Sequence, residues 1–339
     1  MALSRMTPDP MCREYKQHQA NTDMLITLVL FVAGLAILVA GAESLVRGSS
    51  ALALRLGISP LVVGLTVVAF GTSSPELAVS VDSALRGSSS IALGNVIGSN
   101  IANIALILGV TALIQPLLVQ RSLIVGQIPF MIAVSCLLWL LLLDNNLSFA
   151  DGLLMFTGLI VYIYASYRSS RHQDPTESEE ILPGDVTSLQ SKVWFCIVLI
   201  VLGLAALVGG GMMLVDAAVE LARIFNVDET IIGLTVVAFG TSMPELATSV
   251  VAALRKQADI ALGNIVGSNI FNILSILGIA SMITPLSSVG FSHIDFAVMV
   301  AFAVILLPMC MTRRKLDRME GLILVAGYLA YLYYIWPEA

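Results

Sequence analysis

The sequence predicts an all-α polytopic membrane protein, with ten transmembrane helices in two inverted five-helix repeats and discontinuous helices at the core. Three observations predict it. Of 339 residues, 58% are apolar and only 12% charged, whereas a soluble domain carries about 25% charged residues. Ten apolar segments are long enough to cross a bilayer, which takes about 20 residues each. Two long motifs occur twice, at one fixed spacing.

In chain order, residues 1–23 are polar and mixed in charge and lack the apolar core and cleavage site of a signal peptide, so they are expected to form a disordered tail. Five spans follow at about 24–46, 60–86, 90–117, 122–143 and 149–167, which makes 24–167 the first repeat. Residues 168–191 hold Asp174, Glu177, Glu179, Glu180, Asp185 and two prolines, the composition of a flexible linker. The second repeat, 192–339, holds spans at about 192–220, 229–255, 259–284, 293–311 and 319–337. Each is expected to be helical because lipid offers the backbone no hydrogen-bond partners.

The duplication is direct. GLTVVAFGTSSPELAVSVDSALR from Gly64 returns as GLTVVAFGTSMPELATSVVAALR from Gly233. IALGNVIGSNIANIALILG from Ile91 returns as IALGNIVGSNIFNILSILG from Ile260. Glu76 and Glu245, Asn103 and Asn272, and Pro116 and Pro285 all keep the offset of 169. Chance does not hold one register across separated motifs. Five spans per repeat is an odd number, so the second repeat must be inverted. With the N-terminus outside, twelve of the 17 basic residues fall in inside loops and five outside, which favours both termini outside and a cytoplasmic central loop. An integral inner (plasma) membrane location follows.

Glu76 and Glu245 lie deep inside apolar runs with no Lys or Arg at the same depth. A carboxylate there costs roughly 2.5–3.5 kcal/mol even on the lenient insertion scale, so its retention points to ion binding. Pro75 and Pro244 precede them. Each proline lacks an N–H and clashes with the carbonyl of Gly71 or Gly240, which should break the helix and free carbonyls at mid-membrane. Irregular backbone at that depth is tolerated where it lines a cavity. Thr72, Ser73, Ser74, Thr241 and Ser242 crowd the break. The second motif adds Asn95, Ser99, Asn100 and Asn103, repeated as Asn264, Ser268, Asn269 and Asn272. Ser99 and Asn103, four apart, share a helix face. Gly94, Gly98, Gly263 and Gly267 form GxxxG patterns and are read as packing devices.

An inventory of carboxylates, hydroxyls, amides and carbonyls suits hard cations and argues against zinc or copper. Two carboxylates match the charge of one Ca²⁺, and neutral oxygens beside them suit Na⁺. Cys12, Cys136, Cys196 and Cys310 form no metal or redox spacing. A net charge of −6 gives no footprint for nucleic acid. An enzyme is disfavoured: HExxH is absent from the sequence, and no histidine lies in an apolar run to activate Ser73. A passive channel suits paired carboxylates less well than tight binding does.

At GTSSPE and GTSMPE, with GNVIGSNIAN and GNIVGSNIFN, the sequence resembles the calcium:cation antiporter superfamily, and most of all its prokaryotic sodium/calcium exchangers. The resemblance covers the whole ten-span chain. It implies two inverted five-helix halves with four central cation sites. It places Ca²⁺-coordinating glutamates at Glu76 and Glu245 and backbone-carbonyl ligands at Thr72 and Thr241. It places sodium-site contacts at Ala69, Ser73, Ser99, Ala238, Ser242 and Ser268, and amide positions at Asn103 and Asn272. Some relatives carry Asp where Asn272 stands, and in potassium-dependent ones that Asp is associated with K⁺ coupling, so its absence counts against K⁺ dependence without removing it as an alternative.

The expected activity is Na⁺/Ca²⁺ antiport by alternating access, the ions being cargo and no cofactor being called for. The first alternative is a Ca²⁺/H⁺ antiporter using protons on Glu76 and Glu245, or a K⁺-dependent exchanger. The lipid bilayer and the two ions are the expected partners, with no obligate protein partner. Asp82, Glu43, Asp216 and Glu220 are read as interfacial or structural, Asp82 being the strongest exception. Gly34, Gly41, Gly203 and the Gly209–Gly211 run suggest that the first helix of each half slides against the core.

Overall fold

A computed structural model describes residues 10–170, 192–225 and 240–335, with side chains described for 24–168, 192–225 and 240–335. Helix α1 spans Pro10–Leu56. The bent pair α2 (Pro60–Thr72) and α3 (Ser74–Leu85) follows, then α4 (Ser89–Ile114), α5 (Leu123–Asp144) and α6 (Phe149–Arg168). Beyond the central segment come α7 (Val193–Ile224), α8 (Met243–Leu254), α9 (Ala258–Ile283), α10 (His293–Met311) and α11 (Arg318–Ile335).

The described residues are helical from Pro10 on, well ahead of the first apolar run, which corrects the expectation of disorder up to residue 23. No glycine or further proline interrupts residues 11–33, so helix propagates into the span.

Seven helices among the described residues are long and apolar enough to cross a membrane, or eight if α2 and α3 form one span. Two of the ten expected spans are outside that set. The span 229–255 is described only from Gly240 on, where α8 survives as a shorter apolar helix. The span 319–337 is helical as α11, but α11 is not among the seven. Within their most apolar windows, α4 is 72% buried and α9 89%, against 22–39% for the other five long spans. These two helices therefore form the centre, and the others face outward.

Contacts between the halves are reciprocal at the 169-residue offset. Helices α1 and α7 cross on glycines. A Cβ at Gly41 would lie 2.7 Å from Leu207 N, and one at Gly203 would lie 2.7 Å from Leu45 N. Gly34 and Gly210 repeat the arrangement against Leu214 N at 2.8 Å and Leu38 N at 2.7 Å. Small residues permit this backbone approach, as in other membrane helix pairs. At the centre, a Cβ at Gly263 would meet Leu61 O at 2.8 Å and one at Gly267 the Ala69 Cβ at 2.7 Å, so those glycines serve packing.

Four two-residue strands tie the halves at the helix ends. Strand β1 (Leu117–Leu118) pairs with β4 (Lys315–Leu316), and β2 (Asn146–Leu147) pairs with β3 (Leu286–Ser287), both antiparallel. Leu117 faces Leu316 and Leu147 faces Leu286, so each pair maps onto the other.

Candidate functional site

Between α2 and α3 the axis bends by 47°. The break falls at Ser73 (φ −81°, ψ 9°), and its counterpart at Ser242 (φ −88°, ψ 5°) precedes α8. Both residues lie in the sparsely populated bridge region, common at active sites. Pro75 and Pro244 occupy the opening turns of α3 and α8, where a missing N–H is tolerated. Each glutamate thereby enters the first turn of a new helix. The positive end of the helix dipole favours a carboxylate there. A π-helical stretch over Gly64–Val68 loosens the segment before the break, as such stretches often do at functional sites.

Glu76 and Glu245 are each 1% exposed. Each is held by a hydroxyl from the opposite repeat: Ser73 Oγ donates to Glu245 Oε1 at 3.0 Å, and Ser242 Oγ to Glu76 Oε1 at 3.5 Å. No basic side chain pairs with either carboxylate among the described residues. Glu76 Oε2 and Glu245 Oε2 are buried without a hydrogen-bond partner among the described residues, as are Thr241 Oγ1, Ser268 Oγ, Asn103 Oδ1 and Asn272 Oδ1. Buried polar atoms left unpaired are costly, and with Thr248 Oγ1 seven of the eight such atoms among the described residues lie in the two motif pairs, which points to ligands there.

The second motif braces the first. Asn95 Nδ2 donates to Glu76 O at 3.1 Å and Ser80 Oγ at 2.9 Å. Asn264 Nδ2 donates to Glu245 O at 3.3 Å and Ser249 Oγ at 3.0 Å. Asn264 Oδ1 also accepts from Thr72 Oγ1 at 3.0 Å. Across the centre, Asn103 Nδ2 donates to Asn269 Oδ1 and Asn272 Nδ2 to Asn100 Oδ1, each at 3.0 Å. Asn103 and Asn272 both open π-helical stretches, Asn103–Leu108 and Asn272–Leu277.

The sequence-predicted positions thus stand as follows. Thr72, Ser73, Ser242, Asn103 and Asn272 join the hydrogen-bonded cluster around the two glutamates or across the centre. Ser99 and Ser268 are buried, and their carbonyls accept the backbone N–H groups of Asn103 and Asn272. Ala69 is fully buried beside Gly267. Thr241 sits at the second break. Ala238 lies outside the described residues.

Asp82 is not part of this cluster. It pairs with Arg86 at 2.8 Å and its side chain is 59% exposed. Glu43 pairs with Arg47 and with Arg255 at the end of α8, and Glu220 with Arg223 at 3.7 Å. Asp216 is exposed. The sequence reading counted Asn95 and Asn264 only among the oxygens of the second motif and assigned no role to Ser80 or Ser249. Their recurrence at the repeat offset was the available signal. Asp259 was also missed: it is buried at the start of α9 and accepts from Gln120 Nε2 at 2.6 Å.

The family model described as "Sodium/calcium exchanger protein" matches residues 26–168 and 195–336. "Putative antiporter CaxA" of Alkalimonas amylolytica is 38% identical over 93% of this chain and 100% of its own length. "Inner membrane protein YrbG" of Escherichia coli is 37% identical over 93% of this chain and 99% of its own. A solved structure of the sodium-calcium exchanger NCX_Mj, soaked with 10 mM Na⁺ and zero Ca²⁺, superposes with a TM-score of 0.80 at 30% identity, covering 92% of this chain and 100% of that one.

Proposed function

Because this chain belongs to the sodium/calcium exchanger protein family, and is therefore a membrane transporter and not an enzyme, we propose that it exchanges Na⁺ for Ca²⁺ by alternating access. The ions bind between its two halves, where the breaks before α3 and α8 meet the centres of α4 and α9. The observation that carries this reading is the pair of fully buried carboxylates, each with one oxygen spent on a hydroxyl of the opposite repeat and the other left without a partner among the described residues.

In this reading Glu76 and Glu245 hold Ca²⁺ with their free oxygens and with the carbonyls of Thr72 and Thr241. Two carboxylates balance a divalent charge, and oxygen-only ligation suits Ca²⁺. Sodium ions share these carboxylates and use the neutral oxygens beside them, from Ser73, Ser99, Ser242 and Ser268 and the carbonyls of Ala69 and Ala238. Asn103 and Asn272 complete the surround. Because both ions draw on the same carboxylates, occupancy by one weakens the other, which is the coupling that antiport needs. The two halves, 24–167 and 192–339, lie inverted about the site, with both termini outside and residues 168–191 in the cytoplasm. The relative named an inner membrane protein supports that membrane.

The test is ⁴⁵Ca²⁺ uptake into Na⁺-loaded proteoliposomes, with the outward Na⁺ gradient imposed and then collapsed. Uptake that requires the gradient supports exchange. Uptake indifferent to Na⁺ and driven by a pH gradient would replace it with Ca²⁺/H⁺ antiport.

A further inference from the structure

Four buried asparagines at the centre of α4 and α9, Asn100, Asn103, Asn269 and Asn272, form a ring whose polarity is fixed by backbone. Asn100 Nδ2 donates to Asn269 O, and Asn269 Nδ2 to Asn100 O, both at 3.3 Å. A backbone carbonyl only accepts, so these two amides cannot turn over without setting oxygen against oxygen. Their remaining N–H bonds lean on thioethers, Asn100 on Met299 Sδ at 3.9 Å and Asn269 on Met131 Sδ at 3.7 Å, which accept as well. Asn100 Oδ1 and Asn269 Oδ1 are therefore held as acceptors. Asn272 and Asn103 must meet them with Nδ2, which both do at 3.0 Å. A planar amide that spends its nitrogen on one side presents its oxygen on the other, and Asn272 Oδ1 and Asn103 Oδ1 are the atoms left buried without partners.

We propose that Asn100 and Asn269 are positioning residues for cation binding: they dictate that Asn272 and Asn103 offer Oδ1, never Nδ2, to the ion. The role rests on the exchange reading above. Without the lock an asparagine at either position could rotate and aim a partly positive N–H₂ at a cation. The lock also makes residue 272 neutral by construction. An aspartate there would press a carboxylate oxygen against Asn100 Oδ1, whose orientation the Asn269 carbonyl enforces.

The experiment measures ⁴⁵Ca²⁺ and ²²Na⁺ equilibrium binding to the purified full-length protein. It compares wild type, Asn100→Leu, Asn272→Asp and the double variant. The near-isosteric leucine removes the acceptor, frees Asn272 to rotate, and is expected to weaken ion binding about tenfold, the scale of one misplaced buried hydrogen-bonding group. Aspartate at 272 has oxygen at both ends, so it is insensitive to rotation. It should harm binding alone and restore it beside Asn100→Leu. Opposite signs in the two backgrounds support the positioning role, because a merely structural defect would not be repaired by a new charge. Equal binding by Asn100→Leu and wild type would overturn it, and so would a double variant no better than Asn100→Leu. If Asn100→Leu does not fold, Asn269→Leu with Asn103→Asp repeats the test on the other repeat and reads out in the same two ways. A wild-type protein that binds neither ion would overturn the exchange reading and the positioning role together.

Discussion

Ser73 donates its hydroxyl to Glu245 Oε1 at 3.0 Å, across the boundary between the two repeats, while the reciprocal Ser242–Glu76 bond is longer at 3.5 Å. Each half therefore finishes the carboxylate of the other, and the stronger bond falls on Glu245. Ser73→Ala is expected to weaken Ca²⁺ binding by about tenfold or more and to exceed the effect of Ser242→Ala, since a charge-assisted hydrogen bond contributes about 1.5–3 kcal/mol and fades with distance. Equilibrium binding on both variants checks the order. The reverse ranking would contradict it.

The glutamates themselves should show opposed effects on stability and function. Two carboxylates buried without a cationic partner destabilise the ion-free fold, and removing a buried charge is often stabilising. Glu76→Gln and Glu245→Gln are expected to melt above wild type without ions and to lose exchange by more than about 100-fold, since a 1.4 kcal/mol loss already costs tenfold. Wild type alone should gain stability from Ca²⁺, about 2.7 kcal/mol at a hundred times Kd. Melting curves with and without Ca²⁺ decide the matter. A glutamine variant stabilised by Ca²⁺ to the same extent as wild type places the ion elsewhere.

Helices α1 and α7 touch at backbone distance, so Gly41→Val and Gly203→Val each drive a side chain against a main-chain nitrogen 2.7 Å from the added Cβ. Overpacking of this kind costs about 1–3 kcal/mol. Each variant should melt lower than wild type, whereas Gly57→Val, where a Cβ would meet nothing within 4 Å but the backbone φ is +60°, should lose stability through strain alone. A Gly41→Val protein as stable as wild type would mean that the helices do not approach this closely.

Glu43 joins α1 to the far end of α8 through Arg255, with Arg47 on its other side. The side chains of Glu43 and Arg255 are 28% and 36% exposed, which limits the pair to about 0–1 kcal/mol. Glu43→Gln should therefore lower Tm only slightly, and by less as salt rises. Thermal melts across a salt series test this, and a large, salt-independent drop would show a deeper structural role.

Much of this architecture was legible in one dimension, for physical reasons. Lipid forces helices, so apolar length located the spans that α4, α5, α6 and α10 occupy. Proline before a buried glutamate announced the break that the backbone shows at Ser73 and Ser242. What stayed hidden depends on contacts between distant residues. Asp82 has the burial pattern of a site residue in sequence, yet its position on α3 turns it outward to Arg86. Asn95 and Asn264 read as generic oxygen donors, because no spacing reveals that their nitrogens reach the carbonyls of Glu76 and Glu245 from the next helix. The orientation of the Asn100 and Asn269 amides is invisible until each is seen against the other's backbone. The helix over residues 10–23 was missed because polarity was taken for disorder, although nothing in residues 11–33 breaks a helix.

The short strands carry a lesson about manufacture. Among the described residues no strand pairs within its own half: Leu117–Leu118 waits for Lys315–Leu316, and Asn146–Leu147 waits for Leu286–Ser287. A ribosome completes the first pairing edge some two hundred residues before its mate emerges, at about 5–20 residues per second. For that interval of about ten seconds or more the earlier half remains unfastened. The clasp shuts only when the last hairpin is inserted, so a truncated message yields a half with both its fasteners open.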